Sequence, residues 1–95
     1  MTRIGEAIRH ERQARGLSLR AVAEPAGISF VYLSEIERGM KLPTHPVVLR
    51  IANEFPDADA VGWAWLLTED LFGAATVEIM RKHAVALAAR DGREG

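Results

Sequence analysis

Ile28-Ser29-Phe30-Val31-Tyr32-Leu33-Ser34-Glu35-Ile36-Glu37-Arg38-Gly39 is the stretch on which the fold turns. The Ser29 hydroxyl can accept one of the first backbone N–H groups of a helix, which lack intrahelical partners. Ile28 before that cap and Leu33 four positions after it have the spacing of a hydrophobic staple, which fixes how the chain enters the helix. Ile36 continues the apolar face. Gly39 supplies the residue best suited to a left-handed stop. The reading is a short helix, the third in the chain.

Immediately upstream the same design occurs once more. Leu17 precedes Ser18, and Val22 stands four positions after that cap, predicting a second helix that ends near Gly27. Pro25 removes a backbone donor in its last turn, so this helix is expected to be short or locally distorted. The link to the third helix is only Ala26-Gly27-Ile28, and so tight a connection containing glycine makes two helices cross steeply. Before it, Thr2 to Arg15 places Ile4, Ala7, Ile8 and Glu11 on one helical face and stops at Gly16.

Downstream, Met40 to Pro43 read as a loop and Thr44 as the cap of a fourth helix, with Pro46 tolerated in its first turn and Val48, Ile51, Ala52 and Phe55 turned inward. Pro56 and Asp57 close it. Asp59 is the expected cap of a fifth helix carrying Val61, Trp63, Trp65, Leu66 and Leu67, and Thr68 that of a sixth. From Glu69 to about Arg90, Phe72, Ala75, Ile79, His83, Ala86 and Leu87 recur at three- and four-residue intervals, predicting one long amphipathic helix. The expected fold is all-α: a compact domain of about five helices over residues 1–67 and a C-terminal helix over 68–95.

Composition agrees with that size. The chain has 95 residues, 48% hydrophobic and 26% charged, close to the soluble globular average and too short for two full domains. Without cysteine, a disulfide scaffold, a thiolate metal site and a cysteine nucleophile are excluded. No apolar run approaches the roughly 20 residues of a membrane span, and charges interrupt the N-terminus where a signal peptide would need an apolar core. Cytoplasmic residence is the default expectation. The net charge of −1 gives no support for a polyanion as partner, but the distribution does: residues 1–50 carry eight Lys/Arg against five Asp/Glu, and residues 51–95 four against eight.

Chemistry-bearing residues form no catalytic constellation. His10, His45 and His83 lie on separate predicted helices with no partner at metal-ligand spacing, so no metal or other cofactor is implied. Ser18, Ser29 and Thr44 read as caps, with no activating base in sight. Asp57/Asp59 and Glu69/Asp70 fall at expected helix starts, where the macrodipole favours negative charge. Arg3, Arg9 and Arg15 read as solvated helix residues. Trp63 and Trp65, two apart, point to different sides of a helix, so one core face cannot take both. Either the sixth helix covers the second ring, or Trp63 or Trp65 joins the Phe72, Ile79 and Leu87 stripe in a subunit or partner contact.

Across residues 4–55 the chain resembles the phage-repressor (Cro/cI-like, XRE) helix-turn-helix family. The matching residues are Ile4, Ile8, Arg12, Gly16-Leu17-Ser18, Val22-Ala23, Gly27-Ile28-Ser29, Tyr32-Leu33-Ser34, Ile36-Glu37-Arg38-Gly39, Pro43-Thr44, Leu49 and Ile51-Ala52. The resemblance implies a DNA-binding regulator whose third helix enters the major groove. It implies base reading by Ser29, Phe30, Val31 and Glu35. Phosphate contacts would fall to Ser18, Arg20, Tyr32, Ser34, Arg38, Lys41 and Thr44, and Arg12 and Glu37 would form a structural ion pair. Leu19 departs from the pattern, which usually has a DNA-contacting Gln there, and Phe30 and Val31 are apolar where polar readers are frequent. Readout at those two positions then relies on thymine methyls, stacking or shape.

The function expected from this resemblance is a sequence-specific transcriptional regulator rather than an enzyme, a homodimeric repressor of an inverted-repeat operator in double-stranded DNA. Two other readings compete. One is an antitoxin that binds a toxin through its last helix and autoregulates its promoter. The other is a helix-turn-helix fold converted to protein binding, which Leu19, Phe30 and Val31 permit.

Overall fold

A computed structural model describes the backbone of residues 1–94 and the side chains of residues 1–84. Six helices follow one another: α1 (Arg3–Ala14), α2 (Leu19–Ala26), α3 (Phe30–Glu37), α4 (His45–Ala52), α5 (Ala60–Phe72) and α6 (Ala74–Glu94). No strand occurs among the described residues. The protein is all-α.

Each of the first five helices starts on a side chain that accepts a backbone N–H three residues on. Thr2, Ser18, Ser29, Thr44 and Asp59 accept from Gly5, Ala21, Tyr32, Val47 and Gly62 respectively. These hydroxyls and the carboxylate satisfy donors that would otherwise be orphaned, each cap contributing about 1 kcal/mol. α2 ends at Gly27, whose φ of 75° is the left-handed conformation glycine adopts without strain. The helix is short, as expected, but unbroken at Pro25, because the proline stands one residue from its end on an exposed position.

The core gathers one face from each of these helices. Ile4 and Ile8 of α1, Val22 of α2, Leu33 and Ile36 of α3, Val48 and Ile51 of α4, and Leu67 of α5 are all fully buried. Each such side chain contributes about 1.5–3 kcal/mol of transfer free energy. Phe55, also buried, meets Trp63 edge to face with ring centroids 5.9 Å apart. α1 approaches α3 closely at Gly5, where a Cβ would collide with the Ile36 carbonyl oxygen.

The chain departs from its expected course after Leu67. Thr68 does not start a helix; α5 continues through it to Phe72, and the break comes at Gly73, with φ 87° and ψ 150°. That region is open essentially to glycine alone. Thr68 is held inside α5 because its hydroxyl donates to the Ala64 carbonyl at 2.8 Å and accepts from His45 Nε2 at 2.9 Å. A hydroxyl has one hydrogen, so the His45 nitrogen must be the donor. α6 then runs out from the body, packing chiefly on α5. The result is an elongated molecule, 48 × 25 × 21 Å, with a radius of gyration of 15.2 Å. A compact chain of this length would have about 12 Å.

Candidate nucleic-acid interface

α2 and α3 place two capped N-termini side by side on one surface. Ser29 Oγ accepts from the Tyr32 N–H at 3.0 Å and Ser18 Oγ from the Ala21 N–H at 3.1 Å. Both hydroxyls keep their own hydrogen for an outside acceptor. Beyond the Ser29 cap, Phe30 and Val31 are 39% and 52% exposed, so the leading end of α3 is not covered by any described part of the chain. The helix is held from behind by Leu33, Ile36 and Glu37, all buried.

The cations along α3, with Arg20 at its leading end and Arg38 and Lys41 at its far end, are held differently from one another. The Arg20 guanidinium lies over the Phe30 ring at 4.2 Å, so the α2 start is tied to the α3 start by a cation–π contact. Lys41 Nζ pairs with Glu35 at 3.2 Å, which leaves Glu35 with its charge largely compensated before any partner arrives. Arg38 is exposed at the end of α3, its Nε 3.4 Å from the Ser34 carbonyl. Ser34 and Tyr32 are half-buried, and Thr44 is exposed at the α4 cap, its Oγ1 3.4 Å from the Val47 nitrogen.

Arg12 and Glu37 form a bidentate pair beneath this surface. Arg12 Nε and Nη2 donate to the two Glu37 oxygens at 2.7 and 2.8 Å, and Nη1 donates to the Leu17 carbonyl at 2.8 Å. The side chains are 13% and 4% exposed, so the pair is largely out of water. The hydrogen bond to Glu37 raises the Arg12 pKa above its ordinary value, against an opposing effect of desolvation. The contact joins α1, the loop before α2, and α3. It fixes the frame that carries the exposed helix end.

The residues expected at a partner contact separate. Trp63 is only 7% exposed and packed on Phe55, so its ring lies inside the core of the single chain. Trp65 is half-buried under Arg81 of α6, whose guanidinium lies 4.6 Å from the ring centroid. Phe72 and Ile79 are exposed at 58% and 59%. Leu87 lies outside the residues whose side chains are described.

Some structural roles had no signal in the local sequence. Asp70 stands near the end of α5, where its own helix dipole is unfavourable to a negative charge. Its two oxygens instead accept the Arg3 and Ile4 N–H groups at 2.9 Å each, completing the cap of α1. Arg3 also pairs with Glu69 at 3.2 Å. Arg15 binds Glu11 at 2.7 Å, lies 3.6 Å from Asp57, and sits 5.5 Å from the Phe55 ring centroid, so neither Arg3 nor Arg15 is merely solvated. Among the described residues no group of acids and histidines could hold a metal ion, and no helix is long and apolar enough to cross a membrane.

Two short helices joined through a glycine turn, with the second presenting an exposed N-terminus that has Arg20 beside it, define a helix-turn-helix module. A family model described as a helix-turn-helix domain matches residues 3–54, and the chain belongs to that family. Over 49 residues, 52% of this chain, it is 43% identical to an uncharacterized HTH-type transcriptional regulator of Mycobacterium tuberculosis, of which the match covers 35%. Over 50 residues, 53% of this chain, it is 42% identical to the transcriptional regulator ClgR of the same organism, of which the match covers 45%. The similarity thus spans less than half of each of these relatives' length, and the family match ends before α5.

Proposed function

We propose that this protein is a sequence-specific DNA-binding regulator of transcription, acting as a homodimeric repressor on an inverted-repeat operator. The observation that carries the reading is the uncovered leading end of α3, with Arg20 stacked on Phe30 beside it and Arg38 exposed at the far end of the helix. An α-helix with its side chains is about 10–12 Å across, which the roughly 12 Å width of the major groove admits. Ser18, Arg20, Tyr32, Ser34, Arg38, Lys41 and Thr44 would bind phosphates and set the register, and Ser29 would face the base edges. Phe30 and Val31 would meet thymine methyls, and Glu35, once Lys41 turns to a phosphate, would accept from a cytosine amine.

Selection of bound duplexes from a random pool tests this. Arg38→Gln should then weaken binding to all selected sequences equally, and Phe30→Ala should change which sequences are preferred. Binding whose affinity does not fall with added salt would reject the reading, because phosphate contacts release counterions.

The dimer is supported by the elongated shape and by apolar side chains left in solvent. Leu71 and Phe72 at the end of α5, with Ile79 and Met80 on α6, are between 40% and 59% exposed in a single chain. A second copy covering them would place two α3 ends on one duplex, reading half-sites about 34 Å apart. Sedimentation at tens of micromolar showing only monomer would reject the dimer while leaving DNA recognition by one module intact.

A further inference from the structure

The outer face of α4 carries two hollows that meet at Leu49. One, of about 280 Å3, lies between the end of α2 and α4 and is lined by Pro25, Leu49, Arg50, Asn53 and Glu54. The other, of about 240 Å3, shares Leu49 and Asn53 and runs on to Pro56. Each is smaller than the roughly 300–1,000 Å3 of small-molecule sites, so the open groove they form suits side chains from a protein surface. Leu49 is 48% exposed between them. Arg50 and Glu54 stand one turn apart beside it, and among the described residues neither is in an ion pair.

We propose that this groove receives α6 of a second copy of the chain, the two helices running parallel. α6 offers the matching pattern. Ile79 is 59% exposed, and beside it Glu78 and Lys82 meet at 3.5 Å with side chains 70% and 76% exposed. So exposed a pair contributes little by itself, and its charges can be exchanged for better partners. With about 3.6 residues per turn, Arg50 and Glu54 line one edge of the α4 face and Leu49 with Asn53 the other. On α6, Glu78 and Lys82 line one edge and Ile79 the other. Helices laid side by side in the same direction oppose Leu49 to Ile79, Arg50 to Glu78 and Glu54 to Lys82. Reversing one of them sets Arg50 against Lys82 and Glu54 against Glu78, and juxtaposed like charges reject that arrangement. Charge sign and apolar edge therefore select the same orientation.

The inference rests on the homodimer proposed above and names the surfaces that form it. A two-fold axis makes the contact reciprocal, with α6 of each copy on α4 of the other, so each charge pair occurs twice. Arg50 is held in place for this contact. Its Nη1 lies against Gly27, which ends α2, at 3.3 Å from where a Cβ would stand, and the end of a helix favours a cation.

Charge reversal on each side, read by sedimentation of the full chain, tests the pairing. Arg50→Glu and Glu78→Lys each set like charges against each other twice per dimer, and each should raise the dimer dissociation constant about tenfold or more. An equimolar mixture of the two variants should recover wild-type association, because both contacts between unlike chains again join opposite charges. Glu54→Lys and Lys82→Glu repeat the test away from Gly27, and they decide it if Arg50→Glu lowers the melting temperature. A response to Glu78→Lys with none to Arg50→Glu would assign the dimer to α6 against α6 and overturn the groove. Variants that associate as the wild type does, or that weaken alone and are not restored by mixing, also overturn it. Wild-type chain that stays monomeric at tens of micromolar would overturn the homodimer and this contact together. DNA binding insensitive to salt would overturn the DNA reading alone and leave the contact to the mixing experiment.

Discussion

Phe30 and Val31 at the front of α3, and Phe72 and Ile79 at the α5–α6 end, are the same kind of surface in opposite settings. Both pairs leave large apolar groups in water. At α3 the helix is short, capped by Ser29 and anchored by three buried residues, and a guanidinium already lies on the Phe30 ring. At α6 only Val77 is buried among the described side chains, and the helix extends from the body. An exposed apolar residue therefore does not name its partner. Cations around a rigid helix end suit a polyanion that the apolar groups then discriminate, whereas an apolar stripe on a projecting helix suits another protein surface.

If rigidity behind α3 is what separates the two regions, removing its support should have the largest effect. Glu37→Ala leaves the Arg12 guanidinium desolvated with only the Leu17 carbonyl as partner. Loss of one member of a buried pair costs about 3–5 kcal/mol, and the 13% exposure of Arg12 argues for the lower end. Urea denaturation should show a loss of about 3 kcal/mol; a change within a few tenths would show that the pair does not support the frame. Because the pair raises the Arg12 pKa, on the alkaline side its contribution is lost only as pH rises through the raised value. Stability supplied by this pair should therefore be flat across neutral pH.

Gly5→Ala tests the same frame from the other helix. Alanine gains about 1 kcal/mol of helix propensity over glycine. Against this, its Cβ would overlap the Ile36 carbonyl oxygen, a backbone atom that cannot move without shifting α3. Overpacking of this kind costs about 1–3 kcal/mol, and we expect a net loss of up to about 2 kcal/mol in a thermal melt. A stabilised variant would show that α1 and α3 can separate freely. Asp70→Ala should follow closely, losing about 1 kcal/mol with the cap of the Arg3 and Ile4 N–H groups. Its measurement is the amide hydrogen exchange of those two residues, which should accelerate.

The difference in legibility between the two regions has a physical cause. Ser18, Ser29 and Thr44 cap by reaching three residues along the chain, and the staples reach five, so the start of every helix through α4 could be read from neighbours. The exposed position of Phe30 and Val31 follows from the same local periodicity. The Arg12–Glu37 pair spans 25 residues and was implied only by family resemblance. The α5–α6 boundary falls later than the sequence suggests because Thr68 looks like a cap, while its real partners are Ala64 in its own helix and His45 in α4. Asp70, 66 residues from Ile4, has a role set wholly by tertiary packing.

The sharpest form of the comparison alters the two apolar surfaces alone, where the smallest effects on stability are expected. Phe30→Ser removes the stacking of Arg20, a contact of about 0.5–1 kcal/mol at an exposed site. Phe72→Ser with Ile79→Ser removes side chains more than half exposed, so the melt of the monomer should move by less than about 0.5 kcal/mol. The functional consequences should be crossed. The first variant should keep its sedimentation behaviour and change its preferred DNA sequences; the second should sediment as a monomer and keep the base preference of each half-site, while losing the dependence on half-site spacing. If Phe30→Ser also dissociates the dimer, or if the double variant alters base preference within a half-site, the two surfaces are not independent. Stability then could not account for the coupling, because neither substitution touches the buried residues that connect them.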